Sequence, residues 1–292
     1  GALVNAAYYG EGNMIDEFMN AAVEVFGDKV LLQFEDFNSN DAFPLLERTR
    51  HTFLTYNDDI QGTAAVAVAG ILGGIKLKHP EATDLIGLLA NEHYLFHGAG
   101  SANLGGIALL VNEGKVPRSN VHITNSRGLI WAETEAEPGK AGRGNFRNKE
   151  QAEWGYPGEP EFNAKDLTSI IENLKPSVLV GAVGVCPGCF DQKVIEGMMA
   201  ANREHCTGDG GDVQTRPIVF ALSNPKSQAE VTAKDAYEWS NGEVIYGSGT
   251  QFPPHTVDGR EHCPGQVNNV YIFPGMSFGA QACAAKTIPE RL

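Results

Sequence analysis

The stretch EHYLFHGAGSANLGGIA, residues 92–108, contains a short apolar run, a glycine-rich turn and the small residues of a helix start. Gly98 permits a tight turn, and Gly100 lets backbone amides approach a phosphate. The helix N-terminus that follows favours a pyrophosphate, because its dipole is positive there. We therefore predict a dinucleotide-binding turn, with an ordinary βα turn as the alternative. The expected contacts are Gly98, Ala99, Gly100, Ser101 and Ala102.

Apolar runs and helical stretches alternate through the rest of the chain, which predicts an α/β fold with a doubly wound parallel sheet. Val121–Thr124 is the next strand after the turn, and it ends at Asn125, Ser126 and Arg127, roughly where a ribose contact is expected. Further strands are predicted at 177–181, 217–222 and 243–248, and helices at 166–174, 191–202 and 229–239. Two polar, glycine-bearing stretches, 135–162 and 204–215, predict surface insertions.

Two acidic clusters lie upstream of this alternation, in VLLQFEDF (residues 30–37) and NDDIQGT (residues 57–63). The apolar run before Glu35 and Asp36 predicts a buried strand, so these carboxylates should lie at its carboxyl end. Asp58 and Asp59 begin a small, apolar stretch that predicts a buried helix. Converging carboxylates are typical ligands of Mg²⁺ or Mn²⁺. Capping of the helix dipole explains Asp58 and Asp59 equally well.

The strings FEDF (34–37) and NDDIQGTA (57–64) closely resemble the metal-binding segment of the malic enzymes. This resemblance implies that Glu35, Asp36 and Asp59 bind Mg²⁺ or Mn²⁺. Asp58 matches the neighbouring aspartate of the family, and we expect it to act in catalysis.

The strings SNP (223–225) and GQVNN (265–269) resemble the segments with which the malic enzymes contact malate. The resemblance implies that Asn224, Asn268 and Asn269 bind substrate, with Asn224 also close to the cofactor. From the residues alone, turn formation is the better explanation, since Asn next to Pro favours turns.

Two residues depart from the family pattern near the glycine turn. Asn103 stands where a third small residue is usual, and Asn125 stands where the malic enzymes generally carry an aspartate for the ribose hydroxyls. Losing that carboxylate removes repulsion against a 2′-phosphate, and Arg127 is a nearby cation. NADP is thus a credible cofactor beside NAD, although asparagine can also bind a ribose hydroxyl.

The resemblance implies a Rossmann-like NAD(P)-binding domain at residues 58–268 and part of a second α/β domain, for substrate and metal, at 1–57 and 269–292. It implies oxidative decarboxylation of L-malate to pyruvate and CO₂, and assembly as a homodimer or homotetramer. We expect the general-base Lys, general-acid Tyr and malate-binding Arg of the family to lie upstream of this chain, because no match for them is found.

Two other classes of protein remain open. A catalytically inert homologue would bind nucleotide and metal as a regulatory or structural subunit, without turnover. Another NAD-dependent hydroxyacid or amino-acid dehydrogenase would explain the Gly98 turn but not the paired acidic strings. A metal requirement would separate the second class from a malic enzyme.

Composition excludes several partners. The formal charge of −14 over 292 residues argues against nucleic acid and anionic membranes. The apolar runs look too short or too interrupted to span a bilayer, so we expect a soluble intracellular protein in the cytoplasm or an organelle matrix.

Five scattered cysteines indicate a reducing compartment rather than a disulfide scaffold. Cys186 and Cys189 have the spacing of redox and zinc motifs, and His205 with Cys206 would complete four zinc ligands. The alternative is a glycine-rich turn that needs small residues, with a reactive thiol near the cofactor. Among the histidines, His97 is the one expected to approach the cofactor.

Overall fold

The computed structural model describes residues 12–133, 142–205 and 216–289, apart from the side chains of 204 and 205. The strands are β1 (Leu32–Phe34), β2 (Thr55–Asn57), β3 (Tyr94–His97), β4 (Val121–Asn125), β5 (Gly128–Leu129), β6 (Trp131–Ala132), β7 (Tyr156–Pro157), β8 (Val178–Gly181), β9 (Ile218–Ala221), β10 (Ile245–Ser248), β11 (His255–Val257), β12 (Arg260–His262) and β13 (Gly265–Gln266).

The α-helices are α1 (Met14–Phe26), α2 (Ser39–Thr49), α3 (Thr63–Lys78), α4 (Leu85–Leu89), α5 (Ser101–Asn112), α6 (Lys149–Glu153), α7 (Leu167–Leu174), α8 (Gln192–His205), α9 (Ala233–Trp239) and α10 (Phe273–Ala282). A π-helical turn at Asp58–Gly62 leads directly into α3. Short 3₁₀ turns lie at Arg118–Asn120, Lys226–Gln228 and Asn269–Tyr271.

A seven-stranded sheet in the order β13-β10-β9-β8-β3-β4-β5 organises the fold. All neighbours are parallel except β4 and β5. The next strand in the chain, β4, lies on one side of β3, and the later strand β8 lies on the other side. The strand order therefore reverses at β3. Ligands of open α/β sheets bind at such a reversal. The predicted doubly wound parallel sheet is therefore confirmed.

Both faces of this sheet are covered, because successive strand residues point to opposite sides. In β3, Tyr94 and Phe96 pack into a core with α3 and α5, whereas Leu95 packs into a second core with α7, α8 and α9. Val180 and Leu179 of β8 divide in the same way. This arrangement explains why the strands are continuously apolar rather than alternating.

A separate parallel ribbon is formed by β1 and β2. The expectation of a buried strand before Glu35 is correct only for its end: Phe34 is buried, Leu32 is half-buried and Gln33 is exposed. With a single neighbouring strand, β1 lies at the edge of the fold rather than within the main sheet.

The turn Asp58–Gly62 and α3 form 21 continuous helical residues with a mean hydropathy of 1.5 in the most apolar window. By length and composition alone this helix could cross a membrane, which contradicts the expectation that every apolar run is too short or too interrupted to do so. Within the described ranges it is the single such helix. Of that window, 56% is buried inside the fold, and a buried core helix meets the same criteria of length and composition.

The polar stretch 135–162, expected to be a surface insertion, contains ordered structure. Its described part includes α6 and β7, which pairs with β6. The second expected insertion, 204–215, lies almost wholly outside the described residues.

A buried ion pair joins the end of α3 to the segment before β3. Lys78 Nζ lies 2.6 and 2.8 Å from the two carboxylate oxygens of Glu92, and both side chains are under a tenth exposed. Removing one partner of such a pair leaves an uncompensated buried charge, whereas replacing both by apolar residues restores a neutral interior.

We expect Glu92→Ala to lower the free energy of unfolding by about 3–5 kcal/mol and Lys78→Met with Glu92→Leu to cost far less. Urea unfolding measures both. Arg143→Ala is the control, because it removes an exposed pair with Glu133 worth about 0–1 kcal/mol. Equal losses in the single and double variants would contradict this reading of the pair.

Candidate metal and nucleotide site

The two acidic clusters meet because β1 and β2 are parallel and end together. Phe34 pairs with Asn57, so Glu35 and Asp36 leave one strand where the π-helical turn leaves the other. One carboxylate oxygen from each of Glu35, Asp36 and Asp59 lies within 4.8 Å of the others. The register of two short strands thus brings Asp59 to Glu35 and Asp36, although Asp59 lies 23 residues after Asp36.

Local hydrogen bonds fix the cluster. The backbone N–H of Asp36 donates to Asp59 Oδ2 at 2.7 Å, and Gln33 Nε2 donates to Glu35 Oε2 at 2.9 Å. Asn57 caps the π-helical turn by accepting from the N–H of Ile60.

Burial and like charge both act on the acidic residues at this site. Burial raises the pKa of Asp59, and the charges of Glu35 and Asp36 raise it further, against a hydrogen bond from Asp36. Burial, followed by the charge of Glu35, raises the pKa of Asp58 to about 7. A cation between the carboxylates would remove this repulsion, and their oxygens are the ligands that Mg²⁺ and Mn²⁺ take.

Asp58 is buried beside the cluster rather than part of it. Its Oδ2 accepts a hydrogen bond of 2.7 Å from Asn269 Nδ2, whereas its buried Oδ1 has no hydrogen-bond partner among the described residues. A buried acceptor without a donor is costly. The oxygen packs against Gly62, where any side chain would collide with it.

The glycine turn forms one wall of a cavity of about 1000 Å³. Gly98 has a φ of +102°, and a Cβ there would lie 2.7 Å from the carbonyl oxygen of Ala182, so only glycine fits. Gly98, Ala99 and Gly100 line the cavity. Ser101 and Ala102 are not part of the wall and form the first turn of α5.

The hydrogen bonds of Asn103 explain why an asparagine stands where a third small residue is usual. Its Nδ2 donates to the carbonyl oxygens of His97, at 3.1 Å, and Gly98, at 2.8 Å. The side chain thus ties the end of β3 to the turn. His97 itself lines the cavity and pairs through Nδ1 with Thr124 Oγ1 at 2.8 Å. Burial lowers the pKa of His97.

Asn125, Ser126 and Arg127 all line the same cavity. Asn125 Nδ2 donates to the Gln151 side chain at 3.2 Å, and Asn125 Oδ1 accepts from the N–H of Arg127 at 2.8 Å. Gln151 Nε2 reaches the carbonyl oxygen of Ala99 at 3.2 Å. The amide of Asn125 therefore holds the ends of β3 and β4 together through Gln151.

Two further cations lie on this wall that the sequence did not single out. Arg147 donates a hydrogen bond to Ser126 Oγ, and Lys165 lines the cavity near Arg127. Arg147 and Gln151 belong to the stretch expected to be an insertion, so no pattern in the sequence marked them.

The three asparagines expected to contact substrate differ in position. Asn269 reaches the acidic cluster through Asp58. Asn268 is used internally, because it donates to the carbonyl oxygen of Gly249 and accepts from the N–H of Val270. Asn224 is exposed beyond the end of β9 and is not part of the cavity wall.

Glu230 is a completely buried carboxylate that sequence reasoning missed. It accepts hydrogen bonds from the N–H groups of Val183, at 3.1 Å, and Ser223, at 3.3 Å, and from the Ser223 hydroxyl. Ser223 Oγ in turn accepts from the N–H of Gly184 at 2.8 Å. Glu230 therefore joins the loop after β8, which lines the cavity, to the loop that carries Asn224.

The expected zinc set is only partly described. Cys186 and Cys189 lie on the loop between β8 and α8, and both thiols are free. Cys206 and the side chain of His205 lie outside the described residues.

Comparison with solved structures identifies the fold. The Entamoeba histolytica malic enzyme matches 98% of this chain and 50% of its own, with a TM-score of 0.66 and 21% identity. The NAD-dependent malic enzyme of Thermotoga maritima matches 92% of this chain and 59% of its own, with a TM-score of 0.64 and 22% identity. At these identities the match establishes the Rossmann-like architecture.

Sequence comparison gives the family. The chloroplastic NADP-dependent malic enzyme of Zea mays is 38% identical over 278 residues, which are 95% of this chain and 40% of that protein. The Mus musculus NADP-dependent malic enzyme is 36% identical over 279 residues, which are 95% of this chain and 44% of that protein. The chain thus spans less than half the length of these relatives.

Two family models match in sequence. "Malic enzyme, N-terminal domain" matches residues 4–50, and "Malic enzyme, NAD binding domain" matches residues 60–292. The second covers most of the chain, including the glycine turn and the whole seven-stranded sheet. The chain therefore belongs to the malic enzyme family.

Proposed function

We propose that the protein containing this chain converts L-malate to pyruvate and CO₂ with reduction of NAD(P), in a reaction that requires Mg²⁺ or Mn²⁺. The observation that carries this proposal is the position of the carboxylate cluster next to the nucleotide cavity. Asn38, Ser39 and Asn40, which follow the cluster directly, line that cavity. A substrate held at the cluster would thus face the nucleotide.

Glu35, Asp36 and Asp59 are the proposed metal ligands. A bound divalent ion supplies a Lewis acid for the oxygens of the substrate. Three protein oxygens would leave room at the ion for substrate and water. We assign Asp58 a catalytic role because its buried Oδ1 lies beside the cluster without a hydrogen bond. Asn269, which orients Asp58, is the substrate candidate best supported by geometry, ahead of Asn224 and Asn268.

The proposed nucleotide contacts are the turn Gly98–Ala102 and the ribose end Asn125–Arg127, with Asn224 near the reacting end. Positive charge around the ribose favours NADP, because Arg127, Arg147 and Lys165 all line this part of the cavity. Guanidinium groups match phosphate in geometry and charge.

We propose the domain boundaries 58–268 for nucleotide binding, and 1–57 with 269–292 for the second unit. Two contacts support the return of the C-terminal segment to that unit. Tyr56 OH pairs with Ser277 Oγ at 2.7 Å, and Gln281 Nε2 donates to the carbonyl oxygen of Lys29 at 3.1 Å.

Assembly as a homodimer or homotetramer, in an intracellular compartment, completes the proposal. Helix α1 leaves four large apolar side chains more than half exposed: Met14, Phe18, Val25 and Phe26. Burial of this face in an assembly would remove a costly apolar patch from water. The four described cysteines are all free thiols, in keeping with a reducing compartment.

The first prediction concerns the metal ligands. In the full-length protein with malate and Mn²⁺, we expect Asp59→Asn to lower the rate of NAD(P)H formation by more than the roughly 10- to 100-fold typical of outer-shell partners. The matched control is Asp28→Asn, an exposed acid that does not belong to the cluster, which should keep the wild-type rate. Nucleotide binding without turnover in the wild type would favour an inert homologue instead.

The second prediction concerns cofactor choice. We expect Arg147→Ala to raise KM for NADP⁺ by about tenfold, equivalent to about 1.4 kcal/mol, while KM for NAD⁺ stays constant. The reason is that NAD⁺ lacks the 2′-phosphate that this cation would bind. Arg143→Ala is the control, since Arg143 is exposed and faces Glu133 rather than the cavity. An equal change for both nucleotides would rule out phosphate recognition by Arg147.

A further inference from the structure

The loop after β8 contains a two-cysteine turn, Cys186-Pro187-Gly188-Cys189. The N–H of Cys189 donates to the carbonyl oxygen of Cys186 at 3.3 Å, and Gly188 has a φ of +71°. Proline followed by glycine at the two central positions is typical of a type II turn. Such a turn brings its first and last Cα atoms within about 7 Å, close enough for a disulfide.

The two thiols lie at the two ends of one tight turn but differ in exposure. Cys186 is exposed and Cys189 is partly buried. Burial, followed by the proximity of Cys186, raises the pKa of Cys189. Since the thiolate is the nucleophile in exchange reactions, the exposed Cys186 would react first.

Backbone contacts hold the turn against the nucleotide cavity. Gly188 N–H donates to the carbonyl oxygen of Ala229 at 3.0 Å, and Phe190 N–H donates to that of Glu230 at 2.9 Å. Val185 and Cys186 form part of the cavity wall. A change in the Cys186 side chain therefore changes the surface that the nucleotide meets.

We propose that Cys186 and Cys189 form a thiol–disulfide exchange site on the wall of the nucleotide cavity, whose co-reactant is a small disulfide such as glutathione disulfide. The Cys186 thiolate attacks the disulfide, forming a mixed disulfide and releasing one thiolate. Cys189 then loses its proton to solvent and displaces the second thiolate. The balance is two protein thiols and one disulfide giving one protein disulfide and two small thiols.

Mass spectrometry of the full-length protein in glutathione buffers tests the chemistry without any turnover of malate. We expect a Cys186–Cys189 disulfide whose fraction rises with glutathione disulfide. Cys189→Ser should stop at glutathione on Cys186, and Cys186→Ser should remain unmodified at Cys189. Cys263→Ser, which removes an exposed thiol elsewhere, should behave as wild type. A stable glutathione adduct on wild-type Cys186, or no modification, would overturn the exchange site.

The consequence for ligand binding rests on the proposed nucleotide site, so it has its own readout. We expect oxidation to raise the dissociation constant for NADP⁺ by roughly three- to tenfold, as measured by calorimetry, and reduction with dithiothreitol to restore it. The Cys186→Ser, Cys189→Ser protein should show no response to oxidant. A disulfide that forms without changing this constant would refute the coupling, whereas absence of both NADP⁺ and NAD⁺ binding in the reduced wild type would refute the proposed function instead.

Discussion

The mutual repulsion of the carboxylates at the ends of β1 and β2 is the constraint on which the site depends. The three carboxylates have oxygens within 4.8 Å of one another, and burial, together with the charges of Glu35 and Asp36, raises the pKa of Asp59. A fold keeps such a cluster only if other interactions oppose the repulsion. Here the parallel register that pairs Phe34 with Asn57 fixes both strand ends, and the N–H of Asp36 binds the carboxylate of Asp59.

The main sheet helps to hold this cluster through its helices. A Cβ at Gly105 in α5 would lie 2.5 Å from the carbonyl oxygen of Ile60, so the helix that follows the nucleotide turn packs directly on the π-helical turn. Asn269, after the last strand of the sheet, reaches Asp58 from another side. The acidic segment is thus held between two parts of the chain that are far apart in sequence.

The sequence predicted the parts of the fold that depend on local pattern. Continuous apolar runs predicted β3, β8 and β9, because strands covered on both faces need apolar residues at every position. The glycine turn was predictable because a φ of +102° and close contact with Ala182 leave no room for another residue at Gly98. The convergence of Glu35, Asp36 and Asp59 was predicted from the resemblance to the malic enzymes, because a register between two three-residue strands leaves little trace in the sequence.

Contacts made across long sequence distances were missed. Gln151 binds Asn125 and Ala99, and Glu230 binds Val183 and Ser223, yet each lies in a stretch with no motif of its own. A buried carboxylate such as Glu230 reads as an ordinary surface acid until its donors are placed around it. The exposure of Gln33 in β1 was not predicted for the same reason. The burial of a strand depends on the elements that pack against it, and the residues of the strand do not specify those elements.

The proposed metal and nucleotide sites share one short segment, which connects them through the chain. Asp36 belongs to the acidic cluster, and Ser39, three residues later, is the first residue of α2. Ser39 lines the nucleotide cavity and accepts a hydrogen bond from the N–H of Ser101 at 3.3 Å. Asp36 itself has a φ of +60°, a conformation that is uncommon for residues other than glycine. The hydrogen bond between Ser39 and Ser101 therefore ties the backbone that carries Asp36 to the first residue of α5. Because Ser101 follows Gly100 directly, one continuous set of contacts positions both the carboxylate cluster and the glycine turn.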